Sequence, residues 1–205
     1  MANLSVRQAG VSDLDRCAEV LGSAFADYPW TRWCVDGDDH VGRITALQRV
    51  SLEVVGFPLG MVWASSSANR MVSVAVWSDG RTAIDPETWV MLADRSRPLH
   101  GDRLGHAMAA EQGGHPRPNT HHLFLETMGT DPQRQREGHG SAVLRPGLDL
   151  ADERGSVCAL ETSTIENVAF YQTVGFDVVD HRTVVGGGPN VWTMWRTPTS
   201  PNRRL

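Results

Sequence analysis

The sequence contains no lysine: all 19 basic residues are arginine. That absence removes whole reaction classes. No Schiff base can form on a lysine amine. No GxxxxGK[ST] loop can clamp a nucleotide, and no kinase strand lysine can pair with its phosphates. An anionic ligand must be held by arginine, by backbone N–H groups or by a helix end. Cysteine is scarce as well. Cys17, Cys34 and Cys158 are odd in number and show no CxxC spacing, which argues against a disulfide framework and a structural zinc site. Reduced thiols in a cytoplasm are the simpler account. No apolar run approaches the ~20 residues of a membrane-crossing helix. The opening residues do not follow the charged, apolar, small-residue order of a secretory leader. Positive charge is in deficit: the formal net charge is -5, which speaks against a nucleic-acid partner. Repeats and low-complexity linkers are missing, so the 205 residues predict one domain, with its core at 4–197 and a frayed tail over 198–205.

What is present reads as alternating strands and helices. Residues 4–8 (LSVRQ) predict an edge strand. Ser12 caps Asp13-Leu14-Asp15, acids in a first helical turn. Leu14, Cys17, Ala18, Leu21 and Phe25 recur at helical spacing, so 13–26 predicts an amphipathic helix that Pro29 ends. A tryptophan-rich connection leads to a second helix near 39–55. Strands are predicted at 60–65, 71–77 and 122–129. A mostly helical block over 86–112 separates the last two, opened by Asp85 as cap and Pro86 in the first turn. A helix over 138–154, a strand over 157–161, a helix over 166–174 and a strand over 176–183 follow. After a turn at 186–188, residues 190–196 predict the last strand.

The segment 123–176 carries most of the chemistry. A strand ending at Gly129 leads through Asp131-Pro132 into Gln135-Arg136-Glu137-Gly138-His139-Gly140-Ser141, where a helix begins. Glycines permit positive φ and close approach of a ligand. The first N–H groups of a helix have no intrahelical partner, and with the positive dipole end they make an anion site suited to a pyrophosphate. Alone, the same glycines read more readily as a plain turn before a helix. A dinucleotide fingerprint fails at Val143, where a third glycine or alanine belongs.

The neighbours extend the pattern. A Q-x-x-G-x-G loop, then strand 157–161, then Asn167 and Tyr171 in a helix ending at Gly175-Phe176 resembles the GNAT superfamily of N-acetyltransferases, whose acyl-CoA motif is [QR]-x-x-G-x-[GA]. AFADYPWTR (24–32), VAVW (74–77), GSAVLRPG (140–147) and LETS (160–163) resemble its puromycin N-acetyltransferase branch, with a likeness over residues 5–198. Pro146 and Gly147 lie inside the predicted helix. A proline there costs ~3 kcal/mol, so shared descent explains it better than propensity does.

The resemblance implies an α/β GNAT fold: a mixed, mostly antiparallel sheet of about seven strands flanked by helices, with a V-shaped gap for acetyl-CoA between 122–129 and 157–161. It implies acetyl transfer from acetyl-CoA to a primary amine by direct attack. The acceptor would be puromycin or a related aminonucleoside, and the protein a cytoplasmic resistance enzyme, monomeric or homodimeric. Another small amine or a protein N-terminus as acceptor, and a non-catalytic acyl-CoA sensor, stay open. Backbone N–H groups of Gly138, His139, Gly140 and Ser141 would hold the pyrophosphate, with Gln135 and Arg136 shaping the loop. Arg134 and Arg136 read either as attracting the adenosine 3′-phosphate or as ordinary exposed arginines. Main chain at Met128 and Thr130 would pair with the pantetheine arm, and Asn167 would reach it. Tyr171 would stand at the thioester sulfur.

The amine must lose a proton before attack. Glu161, at the end of its strand, is the preferred base or binding group. Glu126 is the second candidate; simple alternation puts it on one face with Phe124 and Met128. Strand-end acids of no function are the competing reading of both. Tyr28, Trp30 and Trp33 are expected either to wall the acceptor pocket or to cover the sheet. Trp63, Trp77, Trp192 and Trp195 read as core. The side chain of His139 is expected to face solvent, and Cys158 to be a small buried hydrophobe. His115, His121 and His122 do not form a metal-ligand pattern, and no metal is expected.

Overall fold

The computed structural model describes residues 4–111 and 116–199. Its strands are β1 (Leu4–Gln8), β2 (Gly60–Ser67), β3 (Arg70–Asp79), β4 (His122–Thr130), β5 (Val157–Thr162), β6 (Asp177–Thr183) and β7 (Asn190–Arg196). They form one sheet in the order β1-β2-β3-β4-β5-β7-β6, in which only β4 and β5 run parallel. Ala68 and Asn69 both adopt positive φ (46° and 64°). That is the geometry a two-residue hairpin needs to match strand twist between β2 and β3.

Helices cover both faces. On one, α1 (Leu14–Ala24) buries Cys17, Ala18 and Leu21 against Val62, Ala64, Val74 and Val76. On the other, α7 (His139–Arg154) buries Val143, Leu144 and Leu148 against Ala75, Trp77, Leu123 and Leu125. Each buried valine or leucine among them stabilises the fold by about 1.5–3 kcal/mol relative to exposure. Helix α7 continues through Pro146. Gly147 explains the helix's closeness to the sheet: a Cβ there would lie 2.2 Å from Trp77 Cε2. Gly155 ends the helix at φ 62°, the left-handed C-terminal stop that glycine favours.

The chain departs from the sequence expectation in five places. Ser12 does not cap α1: it lies inside a 3-10 turn, Val11–Asp13, and Asp13 takes the cap position. Pro29 starts a helix instead of ending one: α2 (Pro29–Cys34) carries it in its first turn, where the missing N–H costs nothing. The second long helix stops being α-helical at Ser51. Helix α3 (His40–Ser51) runs into a π-helical stretch, Leu52–Gly56, and a last turn, α4 (Phe57–Leu59). The block before β4 is split into α5 (Pro86–Ser96), a 3-10 stretch (Arg97–Arg103) and α6 (Leu104–Glu111), with Gly101 at φ 60° between them. The tail is tied down as far as Thr199, whose N–H and hydroxyl donate to Asp152 at 2.8 and 2.7 Å. The last helix, α8 (Ile165–Thr173), is capped by Thr164, which accepts from the Asn167 N–H. Among the described residues no helix is long and apolar enough to cross a membrane.

Candidate active site

Two strand irregularities make the site. Pairing of β4 with β5 runs from His122↔Val157 to Leu125↔Leu160 and stops, although both strands continue. The first residues beyond the last pair are Glu126 and Glu161, so the two candidate carboxylates sit where the strands part. Across β3, the register slips: Trp77 opposes Leu125 while Val76 opposes Thr127. Glu126 is therefore the extra residue of a β-bulge, a device that re-aims a side chain and loosens pairing. The bulge also corrects simple alternation. Met128 packs with Leu123 and Leu125 on the α7 face, whereas Glu126 accepts a hydrogen bond from Ser78, the register partner of Phe124 on the opposite face.

Below the parting strands lies a cleft of about 810 Å³. It brings together Tyr28, Trp30, Glu126, Met128, Glu161, Asn167 and Tyr171. The Tyr28 hydroxyl shares a hydrogen bond with Thr162 Oγ1 (3.1 Å) and accepts from the Ser163 N–H, tying the start of α2 to the end of β5. Asn167 donates to the same Thr162 oxygen at 3.1 Å. Trp33 does not join them. Its ring stacks on His106 (centroids 4.8 Å apart) and packs beside Val184, outside the cleft.

Sequence reasoning missed the far wall, which comes from Gln48, Ser51 and Val55 of the α3–π segment and Trp89, Leu92 and Ser96 of α5. The only signal there is the helical block that Asp85 and Pro86 open, which says nothing of which sheet face it covers. The π stretch carries no composition cue, although such bulges are frequent at functional sites.

The charges are arranged unequally. Burial raises the Glu126 carboxyl above the usual carboxylate range; the Ser78 hydrogen bond and the positive fields of Arg117 and His122 pull it back only in part. Glu126 lines the cleft and is exposed there, so a ligand can reach it. The Arg117 guanidinium sits 4.0 Å over the Phe124 ring. Glu161 is held differently: Thr193 donates to it at 3.0 Å and Arg182 lies 4.0 Å away. Tyr171 is buried, and that burial, with the Tyr28 phenol nearby, pushes its hydroxyl well above the ordinary value.

The glycine loop lies past the end of β4. Arg136 and Gly138 adopt positive φ (64° and 87°), and the first helical bond of α7 runs from Ala142 N–H to Gly138 O at 3.0 Å. The N–H groups of His139, Gly140 and Ser141 thus precede the helix's own ladder. Nothing lies within 4 Å of where a Gly138 Cβ would point, so the loop is open above. An open helix start and a β4 edge freed beyond Leu125 fit an extended phosphate-bearing thioester such as acetyl-CoA. Gln135, Arg134 and Arg136 are exposed on the loop. The expectation for His139 fails: the imidazole is buried, with Nδ1 3.0 Å from Ser65 Oγ.

His121 bridges Ser156 Oγ (2.8 Å) and Asp79 (2.9 Å). Ser156 is buried and Asp79 also binds Arg81 and Arg154, so this serine–histidine–aspartate chain is a structural bracket. His115 lies outside the described residues. Among those described, no group of three His, Cys, Asp or Glu side chains is arranged to hold a metal ion. Trp77 is core as expected, and Cys158 is buried with its thiol pushed up to about 12 by that burial.

Solved structures share this fold. A histone acetyltransferase HPA2-related acetyltransferase from Corynebacterium glutamicum superposes with a TM-score of 0.72 at 22% identity, over 98% of this chain and 99% of that one. The ribosomal-protein-S18-alanine N-acetyltransferase from Escherichia coli gives 0.59 at 15% identity, over 99% of both chains. The yncA protein of Salmonella typhimurium, solved with its cofactor acetyl-CoA, gives 0.57 at 16% identity, over 97% and 96%. The family model described as Acetyltransferase (GNAT) family matches residues 62–176, more than half of the sequence, and the chain belongs to that family of acetyltransferases.

Proposed function

We propose that this protein transfers acetyl from acetyl-CoA to the primary amine of a small cationic acceptor, with an aminonucleoside of the puromycin type favoured. The observation that carries the reading is the placing of a carboxylate, Glu126, and a buried phenol, Tyr171, in one aromatic-walled cleft where β4 and β5 part. Acetyl-CoA supplies an activated thioester carbonyl. Backbone N–H groups of Gly138, His139, Gly140 and Ser141 hold the pyrophosphate, and Gln135 and Arg136 shape that loop. Main chain at Met128 and Thr130 lies along the pantetheine arm, and Asn167 reaches it.

Glu126 takes the proton that the ammonium must lose, since it lines the cleft and its raised pKa favours proton uptake. Glu161, steadied by Thr193 and Arg182, orients the acceptor. The amine nitrogen bonds to the acetyl carbon, the carbon–sulfur bond breaks, and Tyr171 gives its proton to the leaving thiolate. Tyr28 and Trp30 offer flat faces to an aromatic or nucleoside group. Two acidic side chains, Glu126 and Glu161, line the cleft and favour a cationic group in the acceptor. Resistance or self-protection in a cytoplasm, as monomer or homodimer, with neither nucleic acid nor membrane as partner, belongs to the same reading.

Free-thiol release from acetyl-CoA across an amine panel tests it. Release with puromycin alone supports the acceptor. Release with other amines but not puromycin sinks that choice and keeps the reaction. Binding of CoA without release for any amine sinks catalysis and leaves a sensor.

A further inference from the structure

The first turn of α7 rests on a polar floor where a packed core would ordinarily be apolar. His139, Ser65 and Ser73 are all buried. His139 Nδ1 and Ser65 Oγ share a hydrogen bond of 3.0 Å, and the Glu137 carboxylate lies 3.7 Å from Nε2. Ser65 stands where the β2–β3 register shifts, directly opposite Ser73. Ser73 Oγ donates to the Gly129 carbonyl at 3.0 Å and shares a 2.8 Å bond with Thr130 Oγ1. A Cβ on Gly140 would lie 3.5 Å from that threonine oxygen. The same small polar patch thus touches both the loop at 137–140 and the end of β4.

A leucine or isoleucine would be the ordinary choice for a buried position. An apolar contact carries no direction. A hydrogen-bonded imidazole does, and burying it is costly unless the partner is in place. The loop needs such a fix, because Arg136 holds a left-handed conformation that a residue with a Cβ resists.

We propose that the Ser65–His139 pair is a positioning element that sets the affinity for acetyl-CoA, by pinning the first turn of α7 to β2 so that the loop N–H groups point outward. It acts through the loop and touches no reacting atom. This inference rests on the acetyl-CoA reading above.

The test compares wild type with Ser65→Ala, His139→Leu, His139→Asn and the Ser65→Ala/His139→Leu pair. Calorimetric titration with CoA gives Kd, steady-state rates separate the two KM values from kcat, and thermal melting with circular dichroism reports folding. Ser65→Ala and His139→Leu are expected to weaken CoA binding about tenfold. The double variant should be no worse than the weaker single one, as coupling requires. For Ser65→Ala, kcat at saturating acetyl-CoA and KM for the amine should stay within about twofold. His139→Asn, whose amide nitrogen reaches the Nδ1 position, should recover most of the affinity. Unchanged CoA affinity in folded Ser65→Ala overturns the proposal, as do additive losses in the double variant or a fall in melting temperature alone. No CoA binding by wild type overturns the acetyl-CoA reading itself.

Discussion

Glu126 and Tyr171 carry the sharpest expectations for single side chains. Glu126 must be ionised to accept a proton, and its pKa is raised by burial. The rate should therefore climb as pH rises through that elevated value and fall on the acid side of it. Glu126→Gln should lower kcat by about 100-fold and remove that acidic limb; a variant that keeps the wild-type pH profile of kcat/KM takes Glu126 out of the mechanism. Tyr171→Phe should lower kcat by about 100-fold with little change in CoA affinity, read by single-turnover thiol release beside calorimetry. A rate equal to wild type removes the phenol as proton donor. Both residues were legible as candidates in the sequence. The partners of the two candidate carboxylates were not, because they are distant in the chain: Ser78 for Glu126, Thr193 and Arg182 for Glu161. His139 shows the same limit more plainly. A polar residue between two glycines in a loop looks solvated, and only Ser65, 74 residues earlier, gives it a buried partner.

Among the elements, α7 shows how a residue that weakens a helix in isolation strengthens it in place. Glycine inside a helix costs about 1 kcal/mol relative to alanine, yet Gly147 lets α7 lie against the fully buried Trp77 ring. Gly147→Ala should destabilise the protein by about 2 kcal/mol, since overpacking outweighs the gain in propensity. Equal thermal melting temperatures for variant and wild type would show that the indole can give way. Strand and helix order could be read from periodicity because that pattern is imposed locally, by one buried face. The π stretch at Leu52–Gly56 and the bulge at Glu126 could not. Each inserts one residue without altering composition, and each is decided by what the adjoining strand or helix requires. Pro29 was misread for a simpler reason. A proline ends one helix or begins the next with the same sequence signature.

For the molecule as a whole, the end of the sheet is clasped to α7 by Arg196, which makes two hydrogen bonds to Asp152, at 2.9 and 2.8 Å. Partial burial works against the Asp152 charge, but hydrogen bonds from Arg196 and Thr199 outweigh it and lower its pKa from 3.8 to about 2. A depressed carboxylate contributes stability that is full above its unfolded value and disappears as pH falls through the folded one. The wild type should thus lose about 2 kcal/mol between roughly pH 4 and pH 2 from this group. Asp152→Asn should carry that loss already at pH 7 and lack this increment of acid sensitivity. Urea midpoints at pH 7 and pH 3 check it; a variant as stable as wild type at pH 7 rules the clasp out. The same architecture sets the acceptor wall. Segments before β2 and between β3 and β4 fold over one cleft, although more than 30 residues separate Ser51 from Trp89.

The order of elements, the glycine loop and the family could be read directly from the chain. Capping, turn geometry and one-sided burial act within a few residues, and the absence of lysine left backbone donors as the natural grip on phosphates. Tertiary structure decided that the bulge turns Glu126 toward Ser78, that His139 turns inward, and that Trp33 leaves the cleft to pack on His106. Those outcomes follow from register, bulges and packing between segments far apart, where free energy belongs to pairs of elements and no local pattern records it.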